Sequence, residues 1–299
     1  MDVRTERHVD ADGWWEMLTA TPSPVLRDAI LGPYVGWVEE RRIPLVRRET
    51  PALLVPCILT FENAYTLRDA SRTVTTVRGS FVAGMYDQWV DVGMPSRSVA
   101  VQANFTPLAA RRIFGCPLHE ITNQSVDVPS MFGAEGARLV SRMAAEPDWG
   151  VRFAMLDAFL VERWRRGART PRTMQWAWQQ LALGSEPLAS AVQACAPKSA
   201  MSVGDVARAL GWSARRMSDA FREHGGMSAR RLQSVQRVGH ATQLLRELPH
   251  SSLGVVAVSA GYADHAHFTR DLVQFTGVTP SMFRQLMEPG MQSLVVPSD

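Results

Sequence analysis

Arg215, Arg216 and Arg222 fall within eight residues of one another, with Ser218 and Asp219 between them. Fifty residues further on, His265, Ala266, His267, Thr269 and Arg270 make a second cluster. A guanidinium fork donates two parallel hydrogen bonds and fits a phosphate or the edge of guanine, and Asp accepts from cytosine N4. Ser, Thr and His add single hydrogen bonds. These types can recognise a polyanion and the base edges it carries. Catalytic signatures are missing: the chain has no GxSxG, HExxH, Walker loop or GxGxxG, so it is not expected to be an enzyme. The pair His265-x-His267 does not share one helical face and has no further ligand near it, so neither a metal nor another cofactor is expected.

The elements that must position these residues form a gapped repeat. Val206-Ala207-x-x-x-Gly211-Trp212, followed by Met217 and Phe221, returns as Val256-Ala257-x-x-x-Gly261-Tyr262, followed by Phe268 and Leu272. Each copy reads as short helix, glycine turn and second helix, which is the helix-turn-helix outline. Ser202 caps a helix over 203–210, Gly211 supplies the turn, and Ser213 caps a helix over 214–224 that ends at Gly225-Gly226. In the second copy Ser251 or Ser252 caps a helix over 253–260, Gly261 turns, and Asp264 caps a helix to about Phe275. A last helix starts at Pro280 or Ser281 and runs through Leu286. Between the copies, Leu232, Val235, Val238, Ala241, Leu244, Leu245 and Leu248 recur every three or four residues. They predict one helix from Ala229 to about Leu248, about 30 Å long, close to the ~34 Å of one duplex turn.

Upstream the texture is different. Residues 22–130 are β-rich and punctuated by Pro and Gly, with runs such as Ala52–Phe61, Arg72–Val77, Ser80–Val82 and Ser98–Phe105, which suits a sandwich or small barrel. Thr106–Phe114 reads as a short helix with Pro107 in its first turn and Gly115 after its end. Two further helices, 134–145 and 150–165, are separated by Pro147-Asp148 and form an antiparallel pair. The second of them has a broad apolar stripe, buried either in its own domain or in a dimer seam. A basic linker and a short helix over 173–183 follow, and residues 184–199 have no clear period. The fold class is therefore α+β. A β-rich sandwich or barrel-like sensory domain (1–130) carries a helical pair (131–166). A linker (167–199) leads to an all-α domain (200–290) of two helix-turn-helix units joined by a long helix.

These residues resemble the AraC family of bacterial transcription regulators over about 200–287. The resemblance is carried by Gly211-Trp212-Ser213, by Phe221-Arg222-x-x-x-Gly226-x-Ser228 and by Gly261-Tyr262-x-Asp264-x-x-x-Phe268-x-Arg270. The closing stretch Gly277-Val278-Thr279-Pro280-Ser281-x-Phe283-Arg284 is its strongest part. It implies sequence-specific binding of double-stranded DNA, with base reading at Arg215, Ser218 and Asp219 and then at His265, Ala266, His267, Thr269 and Arg270. Arg216 and Arg222 are further candidates for DNA contact. It also implies transcriptional control, as an activator, through a small-molecule effector or dimerisation of the N-terminal domain. RNA polymerase and a second copy of the chain are further expected partners. The chain departs from the family pattern at Asp219, where a basic or neutral polar residue is usual. It departs again at Val255-Val256-Ala257 and at Asp271-Leu272-Val273. Asp219 is expected to pair with Arg215 or Arg222 along the helix.

Bulk properties set the remaining bounds. The formal net charge is only +3, and of 32 basic residues all but Lys198 are Arg, a bias ascribed to base composition. Residues 200–290 hold 10 Arg against 7 acids, a mild basic footprint. The three cysteines, Cys57, Cys116 and Cys195, are far apart and form no zinc spacing, which fits a reducing cytoplasm. They also exclude the four-cysteine zinc site of repair methyltransferases that carry this DNA-binding module. No 18-residue apolar run predicts a membrane span, and no signal peptide is read at the start. Trp14, Trp15, Trp37 and Trp89 are read as packing residues rather than pocket walls, and Arg41-Arg42 and Arg47-Arg48 as surface charge. The competing reading is a ligand-binding or enzymatic domain in residues 1–165 followed by a helical protein-interaction module.

Overall fold

The structure, a computed structural model, describes residues 1–62, 64–181, 183, 201–287 and 293–296. The aperiodic stretch 184–199, with Cys195 and Lys198, lies outside the described residues.

Two antiparallel sheets form the N-terminal part. The larger has the order β1 (Arg4–Val9), β2 (Gly13–Ala20), β3 (Tyr34–Arg41), β10 (Arg97–Phe105), β5 (Val55–Thr60), β8 (Phe81–Ala83) and β11 (Ser125–Asp127). The smaller has the order β12 (Leu294–Val296), β4 (Leu45–Glu49), β9 (Val90–Met94), β6 (Ala64–Asp69) and β7 (Val74–Arg78). The alternation of side chains along a strand explains how one sheet serves two cores. On β10, Val101, Ala103 and Phe105 enter the main core, whereas Ala100 faces the other sheet. On β5, Val55, Cys57 and Leu59 go one way and Ile58 the other. The small core between the sheets joins Ile58, Phe81 and Ala100 to Tyr65, Leu67, Val77, Val90 and Met94.

The opposite face of the large sheet is covered by helices. Thr106 caps α1 (Pro107–Phe114), and Gly115 ends it in the left-handed region at φ 79°. Asp127 caps α2 (Val128–Ala145), which is broken at Gly133 (φ 65°, ψ −154°), so the helix expected over 134–145 gains an extra N-terminal turn. Asp148 caps α3 (Trp149–Arg166), whose stripe of Phe153, Leu156 and Leu160 is buried within the chain itself. Gly36 of β3 lets α3 approach: an added Cβ would meet Trp149 at 2.5 Å. After α4 (Arg172–Gln180) come the C-terminal helices, α5 (Val203–Ala209), α6 (Ala214–Gly225), α7 (Ala229–Glu247), α8 (Leu253–Ser259), α9 (His265–Thr276) and α10 (Pro280–Leu286). Their apolar residues belong to the same continuous core as the large sheet. Thus the two halves are packed together, with α6 against α1 and against the short turn Leu118–Glu120.

Several expectations change here. Arg47 and Arg48 are not surface charge. Arg47 donates to Glu39 at 2.9 Å, and Arg48 makes a two-pronged pair with Asp91 at 2.6 and 2.8 Å. Their side chains are only 12% and 14% exposed, because both belong to β4 between the sheet interior and the C-terminal helices. Arg41 is likewise inward and paired with Glu39 at 2.6 Å. Trp15 and Trp37 line a cavity rather than only pack, since their positions on β2 and β3 point to the concave side. The strand β12 has no counterpart in the sequence reading.

Candidate nucleic-acid interface

Every helix of the two units begins on the capping residue the sequence offers. Ser202, Ser213, Ser252 and Asp264 accept from the backbone N–H three residues on, and Ser228 does the same for α7. Gly211 (φ 64°) and Gly261 (φ 81°) make the two turns, in a conformation that a Cβ would strain. Met217 and Phe221 hold α6 down, and Phe268, Leu272 and Phe275 hold α9. Phe221 stacks on Trp178 with 6.0 Å between ring centroids. The rod α7 has 19 residues and is therefore about 28 Å long.

This packing leaves the first halves of α6 and α9 outermost. Arg215, Arg216, Asp219 and Arg222 are exposed and Ser218 is half-buried. Arg215 lies 3.8 Å from Asp219, the pairing expected one helical turn apart, with side chains 92% and 67% exposed. Such a surface pair contributes less than ~1 kcal/mol and yields readily to a phosphate. Arg216 sits over the Trp212 ring at 5.1 Å, so its fork is pre-oriented beside the turn. On α9, His265, Ala266 and Arg270 are exposed. His267 is half-buried, edge-on to Tyr262 at 5.2 Å and 3.6 Å from Asp271. Thr269 differs from the expectation: its hydroxyl is buried and has no hydrogen-bond partner, so in this arrangement it faces the protein. Asp271, a departure from the family pattern, is engaged inward by Arg237 at 3.9 Å and leaves the outer surface to Arg270. Asp264 is held below the usual carboxylate range, first by the His267 N–H.

The carboxyl ends of both helices are anchored to the N-terminal part. On α6, Glu223 pairs with Arg111 of α1 at 3.0 Å, and Thr122 donates to the Gly226 carbonyl at 2.9 Å. After α9, Gly277 (φ 74°) sits where an added Cβ would meet Trp89 at 2.5 Å and Arg48 at 2.7 Å. Arg231 of α7 donates to the Asp87 carboxylate at 2.9 Å and to its carbonyl at 2.7 Å, and stacks on Phe275 at 4.2 Å. Sequence reasoning missed these contacts, which, apart from the Arg231–Phe275 stack, join residues more than 100 positions apart. The only available signal was the pair of glycines at the helix ends.

Behind the interface lies a cavity of about 1910 Å³, between the concave strands and one side of α7. Its strand wall is apolar and aromatic, including Trp37, Tyr65 and Phe81; its helix wall is polar, including Gln236, Arg237 and His240. Glu49 lines this space; desolvation pushes its carboxyl up, with Arg47, Arg246 and Ser293 opposing. Among the described residues no cluster suits a metal ion, and no helix is long and apolar enough to cross a membrane.

Two histidines at these junctions carry a pH prediction. Burial holds both His224, on α6, and His240, on α7, below the ordinary histidine value. The unfolded chain therefore takes up protons first on acidification. Their contribution to stability is present above about pH 6.5 and is lost as pH falls from there toward the depressed folded values. Denaturant midpoints between pH 7.5 and 5 should fall accordingly, and His224→Gln with His240→Gln should flatten that slope.

By sequence, residues 206–286 match a helix-turn-helix domain family. No curated protein matches the chain. Among solved structures, an apo point variant of ToxT from Vibrio cholerae strain SCE256 is 10% identical, with 84% of this chain and 97% of that one covered and a TM-score of 0.45. Unsaturated fatty acid bound wild-type ToxT from the same strain is 9% identical, with 83% and 96% covered and a TM-score of 0.43. The AraC-like transcriptional activator CuxR is 14% identical, with 82% and 86% covered and a TM-score of 0.32.

Proposed function

We propose that this chain, whose residues 206–286 are an AraC-type helix-turn-helix domain, is a transcription regulator that binds duplex DNA through the first halves of α6 and α9. The observation that carries the reading is the matched pair of capped helices on one rod. Each has a polar, exposed amino-terminal half and apolar residues that pack one side of it into the core. At α6 the positive end of the helix dipole lies behind the neutral Ser213 cap and suits phosphate, whereas the Asp264 carboxylate caps α9 and leaves the contacts there to side chains. Arg215, Arg216, Arg222 and Arg270 add positive charge, and His265 adds a hydrogen-bonding group. The cavity behind α7 is assigned to a small-molecule effector, because its polar wall is the helix that joins the two reading units. The N-terminal part is a sensor in this reading and performs no chemistry of its own.

Anisotropy with labelled genomic fragments, at salt from roughly 50 to 300 mM, tests the DNA reading. Binding should weaken linearly in log–log form as counterions compete for the phosphates. Absence of binding to any fragment at the lowest salt would count decisively against it.

A further inference from the structure

The smaller sheet ends in a strand drawn from the far end of the chain. Leu294, Val295 and Val296 pair antiparallel with Arg48, Arg47 and Val46 of β4. Without them β4 would be an edge, with a row of unpaired backbone groups open to strand addition. The added strand is only three residues long, so its ladder is slight compared with the nine-residue β10.

This short strand touches both functional parts. Leu294 and Val296 are 0% and 8% exposed and enter the main core with Phe283 of α10. Leu294 also bridges Met287 at the end of α10. In the other direction, Ser293 reaches the Glu49 carboxylate at the cavity wall, and Val295 pairs with Arg47, another wall residue. Next to it, Gly277 rests on Arg48 and Trp89, and Arg231 bridges Asp87 and Phe275. These contacts join the second helix-turn-helix unit and α7 to β4, its added strand and the loop before β9.

We propose that the β4 edge is a strand-docking surface, that its occupant is the chain's own Leu294–Val296 segment, and that this segment is a releasable clasp holding the second helix-turn-helix unit to the N-terminal part. The clasp couples the cavity to that unit: a molecule engaging Arg47 or Glu49 competes for the groups that seat Ser293 and Val295. This coupling rests on the effector reading of the cavity; the clasp itself does not.

Hydrogen exchange on the full chain, without DNA or effector, tests the clasp separately. Deleting residues 293–299 should speed amide exchange across α9 at least tenfold and leave β3 and β10 unchanged. Leu294→Asp, which puts a carboxylate at a fully buried site, should do the same. If the deletion also unprotects β3 and β10, Leu294→Asp decides by the same comparison. Unchanged exchange in α9 would overturn the proposal. So would general loss of protection in both variants, because the strand would then be part of the indivisible core. Loss of DNA binding in either variant leaves this readout intact.

Discussion

Replacement of Arg215 by Ala is expected to weaken binding to a cognate duplex by about 1–3 kcal/mol, and Arg270→Ala by a similar amount. Both side chains are exposed on the first halves of their helices, and neither supports the core. Their loss should leave folding within about 0.5 kcal/mol of the parent. Arg215→Ala has a second component. It removes the partner 3.8 Å from Asp219 and leaves a bare carboxylate toward the phosphates. Asp219→Ala in the same background should then recover part of the loss. A base-reading arginine and a phosphate-binding one are separable by titration in salt. The first relaxes sequence preference, whereas the second lowers the salt slope by about 1. Parent affinity in both single variants would place the interface elsewhere.

Phe221→Ala is expected to cost about 3–5 kcal/mol of stability, measured by denaturant unfolding. Phe221 is fully buried and stacked on Trp178, which belongs to α4 outside the repeat. Removal therefore opens a void where α6 meets the N-terminal helices. The adjacent Arg222→Ala, on the exposed side of the same helix, is the control and should be close to neutral in stability. Equal destabilisation by the two would mean that α6 is not oriented as described.

The C-terminal units were legible because their determinants are local. Capping by Ser202, Ser213 and Asp264, turns at Gly211 and Gly261 and the apolar period of α7 each act within a few residues, and helix ends follow such signals. The sheets were legible as β-rich texture only. Strand order depends on pairings such as β10 with β3 and β5, whose partners lie tens of residues away. The ion pairs of Arg47 and Arg48 show the same limit. Adjacent arginines look like surface charge until Glu39 and Asp91 are brought beside them. In the candidate site, helical position put Arg215 and Arg270 on the outward face, and both side chains are exposed. It could not show that Thr269 turns its hydroxyl inward, because that depends on how α9 is packed. The segment Leu294-Val295-Val296 did carry a signal, a short apolar run with two β-branched residues, but too brief to assign without its partner β4.

The anchoring of both recognition helices at their carboxyl ends has a mechanical result. Each has 12 residues, a stiff lever about 18 Å long. The pivots are Gly226, held by Thr122, and Gly277, seated on Arg48 and Trp89. A rotation of a whole helix-turn-helix unit by about 10° about either pivot carries the amino end of its second helix about 3 Å, close to the ~3.4 Å rise of one base step. A small change in the sheet, passed on through these pivots, would therefore move a guanidinium from one base pair to its neighbour.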